Sequence, residues 1–358
     1  MSSISVRYGS RPIMSDQSTL AMAAKAKAMY GKHLKSEDYT ELLRKRTVQE
    51  IAGYLKNETA FREILAGINE FAIHRGHLEM LVRQTFFLDF LELIRYSQSK
   101  NDHFYEYGVL MMEIKQILMT IRLLSETDKT SQIAQLPIFA NRLISFDVEE
   151  LIKVNSFDEL LSVLKSTPYY QILKPLKPKS LLDIDYSTYE IELKAYYFKR
   201  VNEIIEHEFK GKDKEDIRDM FDTQIELDNI TKIYRLKKYY NASPFEIKKV
   251  LNPTYKRISK KTLMEWIDQK DAVQFLQAVH DHAYDIPTDI KEFQYIEYQT
   301  DVIMFELTKR LMRFSTNPNI ILVAYLNLLE IEIQNVVDII EGVRYKVEND
   351  KIAKLLIY

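Results

Sequence analysis

Two groups of histidines are the side chains in this sequence best suited to chemistry. His74 and His77 stand three positions apart in the stretch HRGH, where the apolar spacing predicts a helix. Residues three apart share a helical face, so the two imidazoles could bind one metal ion. A metal site needs further ligands, and no third ligand is evident nearby. We therefore interpret the pair as surface or packing residues.

The second group, His280-Asp281-His282, suggests a metal-dependent hydrolase of the HD type. Such a site needs another histidine on an earlier helix and a later aspartate, and His207 and Asp301 could fill those roles only by assumption. The alternative is a solvated helix end that completes a short helical pair. We favour this alternative and keep the hydrolase as a hypothesis that metal analysis can decide.

No other pattern indicates catalysis or a cofactor. The sequence contains no G-x-x-x-x-G-K-[ST] and no G-x-G, so no phosphate-binding loop is recognisable. The absence of cysteine excludes disulfides, thiolate metal sites and cysteine nucleophiles, and it fits a reducing compartment. We therefore predict a chain with no active site, no cofactor and no metal of its own.

Basic and aromatic residues are mixed in residues 234–240 and 256–261, as they are in nucleic-acid-binding proteins. The formal net charge of −2 gives no overall attraction to nucleic acid, so we predict no such partner. We interpret these segments as locally basic helix faces. They could also contact acidic loops of a partner or anionic lipid headgroups.

The composition predicts a soluble, all-α protein. Hydrophobic residues make up 46% of the 358 residues and charged residues 28%, while glycine is scarce at 8. The longest apolar run, residues 320–326, is much shorter than the ~20 residues that span a bilayer. The N-terminus lacks the apolar core of a signal peptide. We expect a cytoplasmic protein without a membrane span, or one held at a membrane by a partner.

A helix-capping pattern is repeated three times, about 110 residues apart. In each copy an N-cap candidate is followed three positions later by Glu or Gln, which is the spacing of a capping box. The three pairs are Thr47 with Glu50, Ser156 with Glu159, and Asp271 with Gln274. Apolar residues four apart follow each cap, so each copy predicts a short helix with one buried face.

The motif E-x-x-[NQ]-[IV] is also repeated three times. Its polar residues are Glu113 and Gln116, Glu226 and Asn229, and Glu332 and Asn335. Arg122 and Arg235 follow the first two copies at equal distances. Asn and Gln gain little inside helices, so their recurrence indicates a defined partner for each. We favour bonds to neighbouring domains or to the following loop, and direct contact with a partner protein is the alternative.

Each copy therefore contains a short helix pair and two long antiparallel helices. The predicted long helices lie near 68–97, 104–125, 185–210, 213–240, 288–313 and 319–343. Polar loops at 97–102, 211–216 and 315–319 separate them, and the proline-rich stretch 173–180 blocks helix continuation. We predict three similar domains, 1–133 with an N-terminal extension, 134–250 and 251–358, in a pseudo-threefold, funnel-like arrangement.

The C-terminal sequence resembles the family of C-type subunits of the V-type/A-type ATPases, whose eukaryotic members are called d subunits. The similarity lies in the run E-x-x-N-x-x-x-I-I-x-G from Glu332 to Gly342 and in the tail I-x-x-L-L from Ile352 to Leu356. Residues 19–61 look like the bacterial members, and 226–240 is the internal copy, so the resemblance covers roughly 19–358. Val343 follows Gly342 where the family leads us to expect a basic residue, and Arg344 comes one position later.

The resemblance implies a non-catalytic rotor subunit of an ion-translocating ATPase. Such a subunit is a funnel of three helical domains on the cytoplasmic face of the membrane ring. Its socket receives the foot of the central stalk, so torque passes between the ATP-hydrolysing head and the ring. The implied partners are the central-stalk subunits and the membrane rotor ring. The alternative from another class is a general helical scaffold that binds soluble partners.

Overall fold

The computed structural model describes residues 17–96, 103–125, 143–287 and 295–358. Within these ranges the chain forms α-helices and short 3-10 helices and no β-strand, so the all-α prediction is confirmed. The predicted loop at 97–102 lies outside the described residues.

Sixteen α-helices occur in the described residues. In chain order they are α1 Gln17–Tyr30, α2 Ser36–Leu43, α3 Val48–Glu58, α4 Arg75–Tyr96, α5 Glu106–Ser125, α6 Val148–Ile152, α7 Phe157–Val163, α8 Pro168–Leu173, α9 Tyr186–Glu208, α10 Gly211–Tyr239, α11 Pro244–Lys249, α12 Lys260–Gln269, α13 Ala272–His282, α14 Ile296–Phe314, α15 Pro318–Arg344 and α16 Asn349–Ala353.

The six predicted long helices correspond to α4, α5, α9, α10, α14 and α15. Three boundaries differ from prediction. The start predicted near 288 falls in residues 288–294, outside the described part of the chain, and α14 begins at Ile296. Helix α4 begins at Arg75 because the preceding residues form a separate 3-10 helix, Glu70–Ala72, whose cap is Asn69. The stretch 211–216, predicted as a loop, instead forms the start of α10. The chain turns at Gly211, whose φ of +56° favours glycine, and Asp213 then sits favourably in the first helical turn.

The three predicted caps are confirmed. The side chains of Thr47, Ser156 and Asp271 accept hydrogen bonds from the backbone N–H groups three residues later. Gln274 bonds back to the N–H of its own cap residue, as a capping box requires. Glu50 and Glu159 instead accept from the residue before the cap, at 2.7 and 2.8 Å.

Helix α15 is the central element of the core and packs against α1, α4 and α14. It is the one helix of the described residues that is long and apolar enough to cross a membrane, and 78% of its most apolar window is buried within the fold. A core helix of a helical protein passes the same test of length and composition. That no segment spans a membrane stays a prediction.

Each motif-bearing long helix packs against the long helix that follows the next short pair. Helix α5 contacts α9, and α10 contacts α14. The third motif-bearing helix, α15, contacts α3 and α4 of the first copy. Packing units therefore run from one sequence copy into the next. The domain boundaries and the pseudo-threefold axis stay predictions.

Candidate functional site

Three glutamates of the repeated motif are buried in the middle of long helices. Glu113 on α5, Glu226 on α10 and Glu332 on α15 are 4%, 3% and 6% exposed. A buried carboxylate is costly unless donors surround it. The partners of these three side chains therefore reveal what the motif does.

Glu226 has the most complete set of donors. It accepts backbone hydrogen bonds from Lys256, Arg257 and Ile258 at 3.0–3.1 Å. The hydroxyl of Tyr284 donates to Oε2 at 2.7 Å, and this oxygen also accepts from the N–H of Arg257. The carboxylate thus fixes the turn that leads into α12 and also holds the residue that follows α13.

Glu113 binds the beginning of the second copy in the same way. It accepts from the backbone N–H of Ser145, just before α6, and from the hydroxyl of Tyr169 on α8 at 2.6 Å. Tyr169 and Tyr284 each stand thirteen residues after the N-cap of their short helix pair. The two sites are therefore equivalent in chemistry and in position.

Glu332 joins the two ends of the chain and has a different partner. It accepts from the backbone N–H of Leu34 at 2.7 Å, and Nδ1 of His33 lies 3.2 Å from the same oxygen. The spacing that gives tyrosine in the other copies falls on Ala60, next to Phe61, so the first copy has no tyrosine at this point of the sequence. Burial raises the pKa of Glu332 to about 8 and lowers the pKa of His33 to about 4.

The amide residues of the motif hold the chain beside the glutamates. Asn229 exchanges two hydrogen bonds with the backbone of Asn252, and Asn335 exchanges two with the backbone of Ile357. Asn335 also donates to the hydroxyl of Tyr39 at 3.2 Å. Gln116 is buried, and its Oε1 has no hydrogen-bond partner among the described residues.

The glutamate bonds run in one cyclic direction. Glu113 binds the short pair of the second copy, Glu226 that of the third copy, and Glu332 that of the first copy. We call these three contacts the glutamate anchors. They place the motif at junctions between successive copies; contact of the same residues with a partner protein stays a prediction.

The predicted arginines lie toward the C-terminal ends of the same helices. Arg235 on α10 forms an ion pair with Glu297 in the first turn of α14, at 3.3 Å. At the matching place on α15 stands Glu341, which pairs with Arg75 at the start of α4, at 2.5 Å. Both ion pairs join the end of a motif-bearing helix to the start of the long helix packed against it. The basic residue is on the motif-bearing helix in the first pair and on the other helix in the second. Arg122 lies at the end of α5, and Arg344 is exposed at the end of α15.

A cavity of about 1000 Å³ opens between α4, α5, α9 and α15. Arg122 lines it, together with charged residues of both signs. Among these are Glu79, Glu330, Glu341, Arg75, Arg83 and Lys115. Several form ion pairs between helices, such as Lys115 with Glu330. Burial and the neighbouring Glu341 raise the pKa of Glu79 to about 7. The cavity wall thus carries charges of both signs in nearly equal number, alongside apolar side chains such as Phe86 and Val337.

The histidine groups do not converge on a metal site. Among residues 17–96, 103–125, 143–287 and 295–358, no three His, Asp or Glu side chains are placed to hold a metal ion. His280 Nδ1 lies 3.0 Å from the carbonyl of Ile286, and His282 Nδ1 lies 3.0 Å from that of Ala278. Both rings bond to the backbone around the end of α13, and the ring of His282 packs against Trp266.

The basic residues at 256–257 are engaged within the fold. Lys256 forms an ion pair with Asp219 at 2.7 Å, and the Arg257 guanidinium lies over the ring of Tyr284 at 4.5 Å. Their backbone N–H groups bind Glu226. These two side chains therefore brace the second anchor.

The sequence predicted the glutamates but not their partners. Tyr169 and Tyr284 could have been found by aligning the copies from their N-caps, which reveals the constant spacing and the absence of a tyrosine near Phe61. His33 gives no such signal, because it lies outside the repeated motifs. The cavity could not be predicted either, because its wall combines four helices from distant parts of the chain.

A family model described as ATP synthase (C/AC39) subunit matches residues 22–355 of the chain. The match covers all three copies of the motif and nearly every described residue. A comparison with curated proteins found no match.

Proposed function

The chain belongs to the ATP synthase (C/AC39) subunit family, and we propose that it is the non-catalytic coupling subunit between the shaft and the membrane ring of a rotary ATPase. In this role the chain connects the central-stalk subunits to the ion-translocating rotor ring and transmits torque. It sits on the cytoplasmic face of the membrane, held there by the ring.

The hydrogen bond between Leu34 and Glu332 is the observation that carries the proposal. It links the first short pair to the last long helix, so the three anchors together form a closed circuit rather than an open row of repeats. A closed helical body resists opening at any one junction. That property suits a part that must carry torque without deforming.

The cavity supports the same role. It is bounded by long helices of different copies, and its ion pairs connect those helices across the opening. A shaft seated there would contact several copies at once, which spreads the load over a broad interface. We therefore assign the cavity as the socket of the central stalk.

Reconstitution of the rotary complex tests this function. The isolated chain is expected to hydrolyse no ATP, and it should bind both the purified central-stalk subunits and the detergent-solubilised ring. A complex assembled without it should keep ATP hydrolysis in the head but lose ATP-driven ion transport, and adding the chain back should restore transport. Binding to neither partner would instead favour a general scaffold for soluble proteins.

A further inference from the structure

Four bulky apolar side chains are exposed at one end of the helical body. Phe71 is 81% exposed, Leu182 89%, Tyr239 62% and Tyr345 70%. A single exposed apolar residue is ordinary on a protein surface. These four are different because they form two pairs at equivalent positions of the repeat.

Phe71 and Leu182 form the first pair. Each is the middle residue of a three-residue 3-10 helix that precedes a long helix. Each also stands four residues before a side chain that lines the cavity, Arg75 in the first case and Tyr186 in the second. The two copies therefore present an apolar side chain at the same place beside the cavity.

Tyr239 and Tyr345 form the second pair. Each stands thirteen residues after the anchor glutamate of its helix, Glu226 or Glu332. Tyr239 ends α10, and Tyr345 follows the last residue of α15 and itself lines the cavity.

The two pairs lie at the same end of the molecule. Arg75, at the beginning of α4, contacts Glu341 near the end of α15. Ser187, at the beginning of α9, lies 3.5 Å from the hydroxyl of Tyr240, which follows α10. The starts of α4 and α9 are thus beside the ends of α15 and α10. We call Phe71, Leu182, Tyr239 and Tyr345 the rim.

We propose that the rim is the docking surface for the end of the central stalk. The helices of the stalk contact the rim through an apolar band. This assignment rests on the proposed function and adds to it the residues that make the contact. Below the rim the occupant meets a cavity wall that is balanced in charge and partly apolar, so its tip should carry apolar side chains and charges of both signs rather than a strong net charge.

The position of the rim favours the stalk over the membrane ring. A body that touches both pairs must cover or enter the cavity mouth, because residues next to the rim line the cavity on different helices. A shaft on the axis of the cavity satisfies this requirement. Exposed Phe, Leu and Tyr side chains at such a mouth can provide the buried apolar contacts that dominate protein interfaces.

The opposite end of the body provides a matched control. The end of α14 and the starts of α10 and α15 meet there, where Asn317 donates to Asp213 at 2.9 Å. Phe314 lies at this end and is 72% exposed. Helix α15 has 27 residues, which gives a length of about 40 Å between the two ends. Phe314 is therefore as exposed as the rim residues but far from them.

The test measures the affinity of the full chain for purified central-stalk subunits and, separately, for the detergent-solubilised ring. The variants are Phe71→Ser with Leu182→Ser, Tyr345→Ser, and the control Phe314→Ser. We expect the double variant to bind the stalk at least about tenfold more weakly and Tyr345→Ser to weaken binding in the same direction. Both should bind the ring like the wild type, and Phe314→Ser should keep wild-type stalk affinity. Circular dichroism and urea midpoints confirm that each variant is folded.

Two results would overturn the assignment. One is a folded double variant that binds the stalk like the wild type, and the other is a loss of ring binding with stalk binding unchanged. Failure of the proposed function looks different, because then the wild-type chain itself would bind neither partner.

Discussion

The carboxylate of Glu332 accepts a hydrogen bond from the backbone N–H of Leu34, although 298 positions separate these residues in the sequence. In the other two copies the anchor glutamate binds a loop roughly thirty residues C-terminal to it. The contact at Glu332 is the same interaction made between the two ends of the chain. Through this bond the third copy contacts the first. Substitutions at the anchors and in the C-terminal tail can test this arrangement.

The Glu226 anchor should be a major contributor to stability. Glu226→Ala leaves three backbone N–H groups and the Tyr284 hydroxyl without their acceptor, two of them in buried positions, so we expect a loss of roughly 3–5 kcal/mol in the free energy of unfolding. Urea denaturation measures this loss. Glu265→Ala, an exposed residue on α12, is the matched control and should change stability by less than about 0.5 kcal/mol. Equal effects of the two variants would contradict the anchor's role.

The Glu332 anchor should weaken as the pH rises. Burial raises the pKa of Glu332 to about 8, so the folded state holds this proton more tightly than the unfolded state does. The free energy of unfolding should therefore decrease as the pH rises from the ordinary carboxyl pKa to about 8, and it should stay constant at higher pH. His33 acts in the opposite sense, since its lowered pKa costs stability only as the pH drops below its ordinary value.

Glu332→Gln isolates this effect because it removes the titrating proton and keeps His33. We expect the stability of the wild type relative to this variant to decline by about 2 kcal/mol between roughly pH 6.5 and pH 8.5. Denaturant midpoints measured across this range check the prediction. A difference that stays constant with pH would show that Glu332 does not titrate there.

Replacing Phe61 with tyrosine should strengthen the third anchor. Tyr169 and Tyr284 donate to the anchor glutamates of the other copies, and Phe61 lies close to the equivalent position. A hydroxyl there should stabilise the ionised form of Glu332, and we expect a gain of about 1 kcal/mol above pH 8. Phe71→Tyr, at an exposed position, should have no such effect. A Phe61→Tyr variant that is destabilised at every pH would mean that His33 already fills the space.

Gly342 should be required for docking of the C-terminal tail. A Cβ atom at this position would lie 2.6 Å from Cγ1 of Ile352, which is buried on α16. We expect Gly342→Ala to cost roughly 1–3 kcal/mol and to increase hydrogen exchange in residues 349–358.

Gly53→Ala is the control for this substitution. No atom lies within 4 Å of a Cβ built at Gly53, which is in the middle of α3. Here alanine should stabilise the helix by about 0.5–1 kcal/mol. Ile352→Ala removes the clashing atoms but also a buried side chain, so the steric explanation predicts that Gly342→Ala with Ile352→Ala costs less than the sum of the two single substitutions.

Local features of the fold were predictable because their causes are local. An N-cap needs only a short polar side chain just before the first turn, and the structure has all three predicted caps, of which Asp271 with Gln274 forms the full capping box. The long helices follow from apolar spacing within each segment. The prediction for the start of α10 was wrong because a polar, charged stretch is compatible with a loop and with the first turn of a helix.

The sequence by itself determined an all-α chain with three copies of one pattern, including the three motif glutamates. Tertiary structure alone decided what those glutamates bind, because hydrogen-bond partners depend on which loops the packing brings within about 3 Å. It also decided that α15 returns to the N-terminal pair and that Glu341 and Arg75 meet across the cavity wall. Such contacts have no trace in local sequence, since their energy appears only when distant segments exclude water together.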